Sequence, residues 1–363
     1  MTNDQLPDAS VLRILDAAIN RAAEGLRVVE DYLRMVAGDV HLTRLAKELR
    51  HDLAAAAECL ISIDRHTVRD TLGDVGTRIS TEAEASRTDA WQVAAASFQR
   101  TAQALRSLEE YGKLVNDSFA AECEALRYRL YTLEKATSAT QSSHERLADI
   151  RLYVLVGGDE AKSSFTLKIR ALIEAGVQAI QLRDKRLADR ELLACARLLG
   201  EITRDQNVLA IVNDRPDIAA AAEVDGVHLG QDDLPVATAR RIIGPRKLIG
   251  VSTHSIQQAQ QAVLDGADYL GAGPTFPTTT KSFDSFPGLE YLEQVAAEIS
   301  LPMFAIGGID AENLSEVIAT GVSRVAVSST IVGASEPATE IARLRELLAP
   351  RKRQIAKSPA TSG

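Results

Sequence analysis

In the second half of the 363-residue chain, carboxylates, cations, hydroxyls and paired glycines recur just after short apolar runs. The polar tips are Gln181-Leu182-Arg183-Asp184-Lys185, Asn213-Asp214, His228-Leu229-Gly230-Gln231-Asp232-Asp233, Ser252-Thr253-His254, Pro277-Thr278-Thr279-Thr280-Lys281, Gly307-Gly308 and Ser328-Ser329. Asp214 and Asp233 suit a hard divalent cation such as Mg2+, which is held by one or two carboxylates plus phosphate and water. No His/Cys cluster offers a zinc site. Arg183, Lys185 and Lys281 supply positive charge beside that pair, the combination that stabilises a polyphosphate as negative charge develops on it. Gly307-Gly308 and Ser328-Ser329 follow the last two apolar runs, where backbone N–H groups bind a single phosphate in many barrels. There is no Gly-x-Ser-x-Gly elbow and no lysine at a mid-strand position, so no protein nucleophile is evident. This set fits departure of pyrophosphate and capture by a second phosphorylated substrate.

Taken singly, each tip has a plain structural reading. Asp214 precedes Arg215-Pro216 and could cap a helix, Gly307-Gly308 could be a turn, and Arg183 and Lys185 could be solvated charges. All of them together require elements that bring the tips to one rim. Eight strands supply this: Leu152–Val156, Ala179–Arg183, Leu209–Asn213, Gly226–Leu229, Leu248–Ser252, Tyr269–Ala272, Met303–Ile306 and Arg324–Ser328. Amphipathic stretches lie between them, among them Phe165–Ala175, Asp189–Asp205, Ser255–Asp265 and Ala311–Thr320. Eight βα units predict an α/β (β/α)8 TIM barrel, whose chemistry sits at the C-terminal ends of the strands. A doubly wound sheet would require a glycine-rich fingerprint after its first strand. Gly157-Gly158 is followed by Asp159-Glu160, and Gly271-Ala272-Gly273 by Pro274, so neither is a dinucleotide site.

The first half has a different grammar. From Val11 to Leu133, Gly and Pro are sparse and apolar residues recur at three and four, which predicts helix. It contains a duplication. Arg21, Ala23, Leu26, Arg27, Glu30 and Tyr32 stand over Arg100, Ala102, Leu105, Arg106, Glu109 and Tyr111 without a gap, and Lys47–Leu53 resembles Glu124–Leu130. Two helical hairpins related by pseudo-two-fold symmetry are expected, joined by a loop from Asp64 to Thr88. The loop residues Arg69–Thr77, rich in Asp and Gly, leave a binding role open. Arg27 with Glu30, and Arg106 with Glu109, share a helix face and read as ion pairs, with an anion site at the pseudo-axis as the alternative. The resulting domains are a helical one over 1–136, a polar linker over 137–148, a barrel over 149–350 and a frayed basic tail over 351–363.

A net charge of −9 argues against a nucleic-acid surface. No run of about 18 apolar residues spans a membrane. Residues Met1–Ser10 lack the marks of a signal peptide, and the three cysteines, Cys59, Cys123 and Cys195, form no Cys-x-x-Cys pair. A cytoplasmic protein with reduced thiols is expected. The partners implied are two small phosphorylated substrates, with neither nucleic acid nor membrane. Oligomeric state is open, a homo-oligomer included.

The motifs Gln181–Lys185, Val212–Asp214, Gly226–Asp233, Gly250–Ser252, Gly273–Lys281 and Ile306–Ile309, in this order over Arg151–Leu348, resemble thiamine-phosphate synthase. The resemblance implies a transferase that joins hydroxymethylpyrimidine diphosphate to thiazole phosphate, releasing pyrophosphate and giving thiamine phosphate. It implies Mg2+ on Asp214 and Asp233. It implies a pyrimidine diphosphate site of Gln181, Leu182, Arg183, Asp184, Lys185, Asn213, Ser252 and Lys281, with Arg183, Lys185, Asn213, Ser252 and Lys281 catalytic. Thr278, Thr279, Thr280, Gly307, Gly308, Ser328 and Ser329 would bind the thiazole phosphate. Ser328 departs from the aliphatic residue usual there, which leaves open which serine meets the phosphate. The helical half resembles an extension that some bacterial members carry. A thiazole tautomerase relative, or a non-catalytic precursor sensor, are the alternative readings. The tautomerase needs no metal pair, and no rim charge is missing as a sensor would suggest.

Overall fold

The computed structural model describes residues 8–60, 87–158, 161–277 and 286–349. Packing divides the chain into two compact units, Met1–Glu145 with Ala259–Asp268 and Ala297–Leu301, and the remainder.

The helical unit contains α1 (Ala9–Tyr32), α2 (Val40–Ala57), α3 (Ala90–Gly112) and α4 (Asp117–Arg146). A short polar side chain caps each start. Asp8 accepts from the Ser10 N–H at 2.8 Å, Asp39 from Leu42 at 2.7 Å, Asp89 from Gln92 at 2.8 Å and Asn116 from Phe119 at 3.0 Å. A wide π-turn, Leu33–Ala37, closes on Gly38 at φ +65°, a left-handed position that suits glycine. The copies α1 and α3 pack against each other. A Cβ on Gly25 would collide with Thr101, so the backbones touch there.

The duplication extends to side-chain contacts. Glu30 lies 3.6 Å from Arg27 and 2.9 Å from Arg50. Glu109 lies 2.7 Å from Arg106 and 2.8 Å from Arg127. Both glutamates are buried and each holds two arginines, one from its own helix and one from the next. These are ion pairs, as the spacing suggests.

One expectation fails. Residues 137–148 are not a linker, because α4 runs unbroken to Arg146. The segment is polar, so hydropathy shows no period. Small residues do: Ala136, Thr137, Thr140 and Ser143 are buried at helical spacing, and the Thr137 hydroxyl returns to the Leu133 carbonyl at 2.8 Å. Most of the expected loop, 61–86, and the tail 351–363 lie outside the described residues.

The second unit is a closed, all-parallel barrel in sequence order. Its strands are β1 (Leu152–Val156), β2 (Ala179–Leu182), β3 (Leu209–Asn213), β4 (Gly226–Leu229), β5 (Leu248–Thr253), β6 (Tyr269–Ala272), β7 (Met303–Ile306) and β8 (Val325–Val327). β8 closes on β1 with Tyr153 opposite Ala326. Between and after them in sequence lie α5 (Lys162–Glu174), α6 (Asp189–Thr203), α7 (Pro216–Ala221), α8 (Val236–Ile243), α9 (Ile256–Asp265), α10 (Gly288–Glu298), α11 (Leu314–Ala319), α12 (Ser329–Val332) and α13 (Pro337–Leu348). Closure removes the doubly wound alternative. Inside, the rings of Tyr153, Tyr269 and Phe304 meet edge-on with centroids 5.3–6.1 Å apart. Leu155, Ile211, Leu248 and Ala326 complete this packed floor. No described helix is long and apolar enough to cross a membrane.

Candidate active site

Above that floor, at the C-terminal ends of the strands, lies a cavity of about 270 Å³. Alternation along β2 decides which of its residues reach it. Gln181, Arg183 and Lys185 line the cavity. Leu182 is buried on the other face of the strand, and the Asp184 carboxylate is taken by Arg186 at 3.0 Å. Neither lines the cavity.

Asn213 and Asp214 come from the end of β3. Asp214 sits at φ +63°, a region that Asp tolerates better than most non-glycine residues. Its N–H donates to the His228 carbonyl at 2.8 Å, which anchors the bend. Asp233, from the loop after β4, accepts from the Gly230 N–H at 2.6 Å. Burial and the adjacent Asp214 carboxylate push the Asp233 carboxyl above its usual range. Lys185 Nζ stands 3.3 Å from Asp214. Two carboxylates this close repel each other, and a divalent cation between them would remove the repulsion. The described residues hold no cluster of three or more His, Cys, Asp or Glu. A two-carboxylate, all-oxygen donor set fits Mg2+ completed by phosphate and water.

On the opposite side, β7 is followed by Gly307 and Gly308 at φ +102° and +64°. A Cβ on Gly307 would lie 2.7 Å from Pro274, and one on Gly308 2.6 Å from the Pro277 carbonyl. Only glycine allows this tip to lie flush against the loop after β6. Ser328 and Ser329 lie at the start of α12. The Ser328 hydroxyl donates to the Leu155 carbonyl at 3.2 Å. Both serines line the cavity, and Ser329 is exposed. Thr278, Thr279, Thr280 and Lys281 lie outside the described residues.

Among the cavity-lining residues that had no role expected from the sequence are Tyr153, His228 and Tyr269. Ser252 Oγ is 2.9 Å from His228 Nε2. Burial pushes the His228 imidazole down to about 4; the Asp233 charge opposes this and the Arg183 charge adds to it. It is therefore neutral at pH 7. A signal for these residues existed. His228, Gly250 and Tyr269 are opposite one another across β4, β5 and β6. A Cβ on Gly250 would overlap the Tyr269 ring and lie 2.5 Å from His228 Nδ1. Two large polar side chains flanking a strand glycine mark a close contact over that strand.

Against this geometry, known proteins are informative. The family model described as "Thiamine monophosphate synthase" matches residues 152–331, and that described as "ThiD2 family" matches 13–136. A thiamine-phosphate synthase of Rhodopirellula baltica is 45% identical over 340 residues, covering 91% of this chain and 90% of the relative. The chain belongs to the thiamine-phosphate synthase family. As a member it is a transferase of thiamine biosynthesis. Another thiamine-phosphate synthase, from Synechocystis sp., is 40% identical over 94% of this chain and 97% of its own. Alignments of 340 residues exceed the barrel, so these family members share the helical half as well. A solved thiamine phosphate pyrophosphorylase from Pyrococcus furiosus is 37% identical, with a TM-score of 0.50, covering 55% of this chain and 95% of that one. It matches a barrel's share of the chain, which makes the barrel the part common to the family.

Proposed function

We propose that the barrel, residues 149–350, condenses 4-amino-2-methyl-5-hydroxymethylpyrimidine diphosphate with 4-methyl-5-(2-phosphoethyl)thiazole, in the cytoplasm and with Mg2+ on Asp214 and Asp233. The observation that carries the reading is the Asp214–Asp233 pair with Lys185 at the rim. The bond between the exocyclic methylene carbon and the diphosphate oxygen breaks, and pyrophosphate leaves with the electron pair. The 4-amino group shares the positive charge left on the pyrimidine methylene. The thiazole nitrogen lone pair then forms the new C–N bond, and no proton leaves the reacting carbon.

Mg2+, when bound, neutralises charge developing on the pyrophosphate oxygens. Arg183 and Lys185, with Lys281, hold the same anion from the protein side. Asn213 and Ser252 orient the pyrimidine and its leaving group, and Gln181 accepts from the pyrimidine. Gly307, Gly308 and Ser329, with Thr278–Thr280, take the thiazole phosphate, which aims the ring nitrogen at the methylene. The floor of Tyr153, Tyr269 and Phe304 keeps bulk water from the cation. The partners are these two small phosphorylated molecules, with neither nucleic acid nor membrane.

The test is direct. Purified protein with both substrates and Mg2+ forms thiamine phosphate, followed by chromatography. Asp233→Ala lowers the rate by on the order of a hundredfold at low Mg2+, with partial recovery at high Mg2+. Wild-type protein that forms no product overturns the proposal.

A further inference from the structure

Two neighbouring loops each deliver two residues to the rim. The loop after β2 carries Arg183 and Lys185, and Asn213 and Asp214 come from the end of β3; all four line the cavity. The β2–β3 ladder stops at Leu182 opposite Val212, one residue short of both sets. Beyond it, among the described residues, two side-chain contacts join the loops. Lys185 Nζ stands 3.3 Å from Asp214, and Arg215 Nη1 lies 2.5 Å from Asp189. The first contact is given up when Lys185 turns to the diphosphate. The second involves no residue that lines the cavity, so substrate leaves it in place.

Arg215 is built to hold. Asp214 sits at φ +63° with its N–H on the His228 carbonyl, and the Arg215 N–H returns to the Asn213 carbonyl at 2.8 Å. This tight turn leaves Asp214 at the cavity and Arg215 outside it. The guanidinium then spends all three of its nitrogens on the starts of two helices. Nη1 donates to Asp189, the first residue of α6. Nε and Nη2 donate to Asp217, the second residue of α7, at 2.9 and 2.7 Å. Hydrogen bonds from Arg215 hold both carboxyls below the usual carboxylate range, so the bridge is fully charged at neutral pH. An isolated surface ion pair contributes little, but an arginine that is bidentate on one carboxylate and shared with a second is the exception.

We propose that Arg215 is a positioning residue for the diphosphate site: by bridging Asp189 and Asp217 outside the cavity, it keeps the loop carrying Arg183 and Lys185 in register with the turn carrying Asn213 and Asp214. This rests on the reading that these loops take the pyrimidine diphosphate. The thiazole phosphate, held by the tips of β7 and β8, does not depend on the bridge.

The experiment measures steady-state kinetics for both substrates in full-length wild-type, Arg215→Gln, Asp189→Asn and Arg215→Gln/Asp189→Asn proteins. Each single variant is expected to lower kcat/KM for the pyrimidine diphosphate by about fivefold. The KM for thiazole phosphate stays within about 1.5-fold. The double variant loses about fivefold as well, because both changes remove one and the same bridge. Asp189→Asn separates positioning from charge. Loss of a negative charge near an anion site raises kcat/KM if charge alone acts, whereas loss of the bridge lowers it. The Asp189 side chain is 75% exposed, so its replacement leaves the core intact even if Arg215→Gln does not fold. An Asp189→Asn protein with unchanged or raised kcat/KM overturns the role of Arg215. So does an equal loss for both substrates, or a double variant whose loss is the product of the two single ones. A wild type that forms no thiamine phosphate overturns the functional reading itself.

Discussion

Ser328 and Ser329 are neighbours with different partners. Both line the cavity, but the Ser328 hydroxyl is spent on the Leu155 carbonyl of β1, whereas Ser329 is the more exposed of the two. Under the proposed function, Ser329 is the serine expected to meet the thiazole phosphate, because the hydroxyl hydrogen of its neighbour is already committed. A hydrogen bond to a charged phosphate is worth about 1.5–3 kcal/mol. Ser329→Ala should therefore raise KM for the thiazole phosphate by about tenfold or more and leave kcat nearly unchanged. Ser328→Ala should alter KM by less than about twofold and instead lower the thermal midpoint, at a cost of about 1 kcal/mol. Steady-state kinetics with a melting curve separate the two, and the assignment fails if Ser328→Ala carries the KM effect. At this scale, the rim charges were readable because polar residues after apolar runs are conspicuous. His228 and the two tyrosines were not, because their meaning comes from glycines on neighbouring strands, Gly250 and Gly271, that make room for them.

Elements were more legible than residues wherever hydropathy carried their period. Five of the eight strands have the bounds expected from the apolar runs; β2 and β5 differ by one residue at one end, and β8 is one residue shorter at each end. The end of α4 was not legible, since its buried positions are Ala, Thr and Ser rather than Leu. The duplicated arginines and glutamates show the converse: the spacing was visible, and their burial was not. The two copies are also unequal. Arg127 is 9% exposed in its ion pair with Glu109, whereas Arg50 is 27% exposed with Glu30. Removing one partner of a buried pair strands the other charge and costs about 3–5 kcal/mol, while an accessible arginine regains water. Glu109→Ala should thus destabilise the helical unit by about 3 kcal/mol, and Glu30→Ala by markedly less. Denaturant unfolding followed by the fluorescence of Trp91 in α3 measures both. Equal losses would show that the first copy is as dry as the second.

For the molecule as a whole, acid stability follows from groups that burial holds in one protonation state. Burial pushes His228 down to about 4 and lowers His41 as well. Between about pH 6.5 and 4 the unfolded chain binds a proton at His228 that the folded chain refuses, so stability is full above that window and falls as the pH drops through it. Asp233 works against this trend. Its folded carboxyl titrates above the unfolded value, so acidification relieves the folded state there. The lowered carboxyls of Asp184 and Asp217 lose their contribution only below the ordinary carboxylate range, outside the window. The histidine effect is the larger because His228 is closed off from water, whereas Asp233 is only partly so. From pH 7 to pH 4.5, wild-type protein should lose about 2 kcal/mol through His228. A His228→Gln variant keeps a neutral polar side chain at every pH and should lose correspondingly less, although it starts lower because the contacts of the imidazole with Tyr269 and Ser252 are disturbed. Guanidinium unfolding by far-ultraviolet circular dichroism at the two pH values gives the difference. If the two proteins lose equal stability on acidification, His228 is not held neutral by its burial.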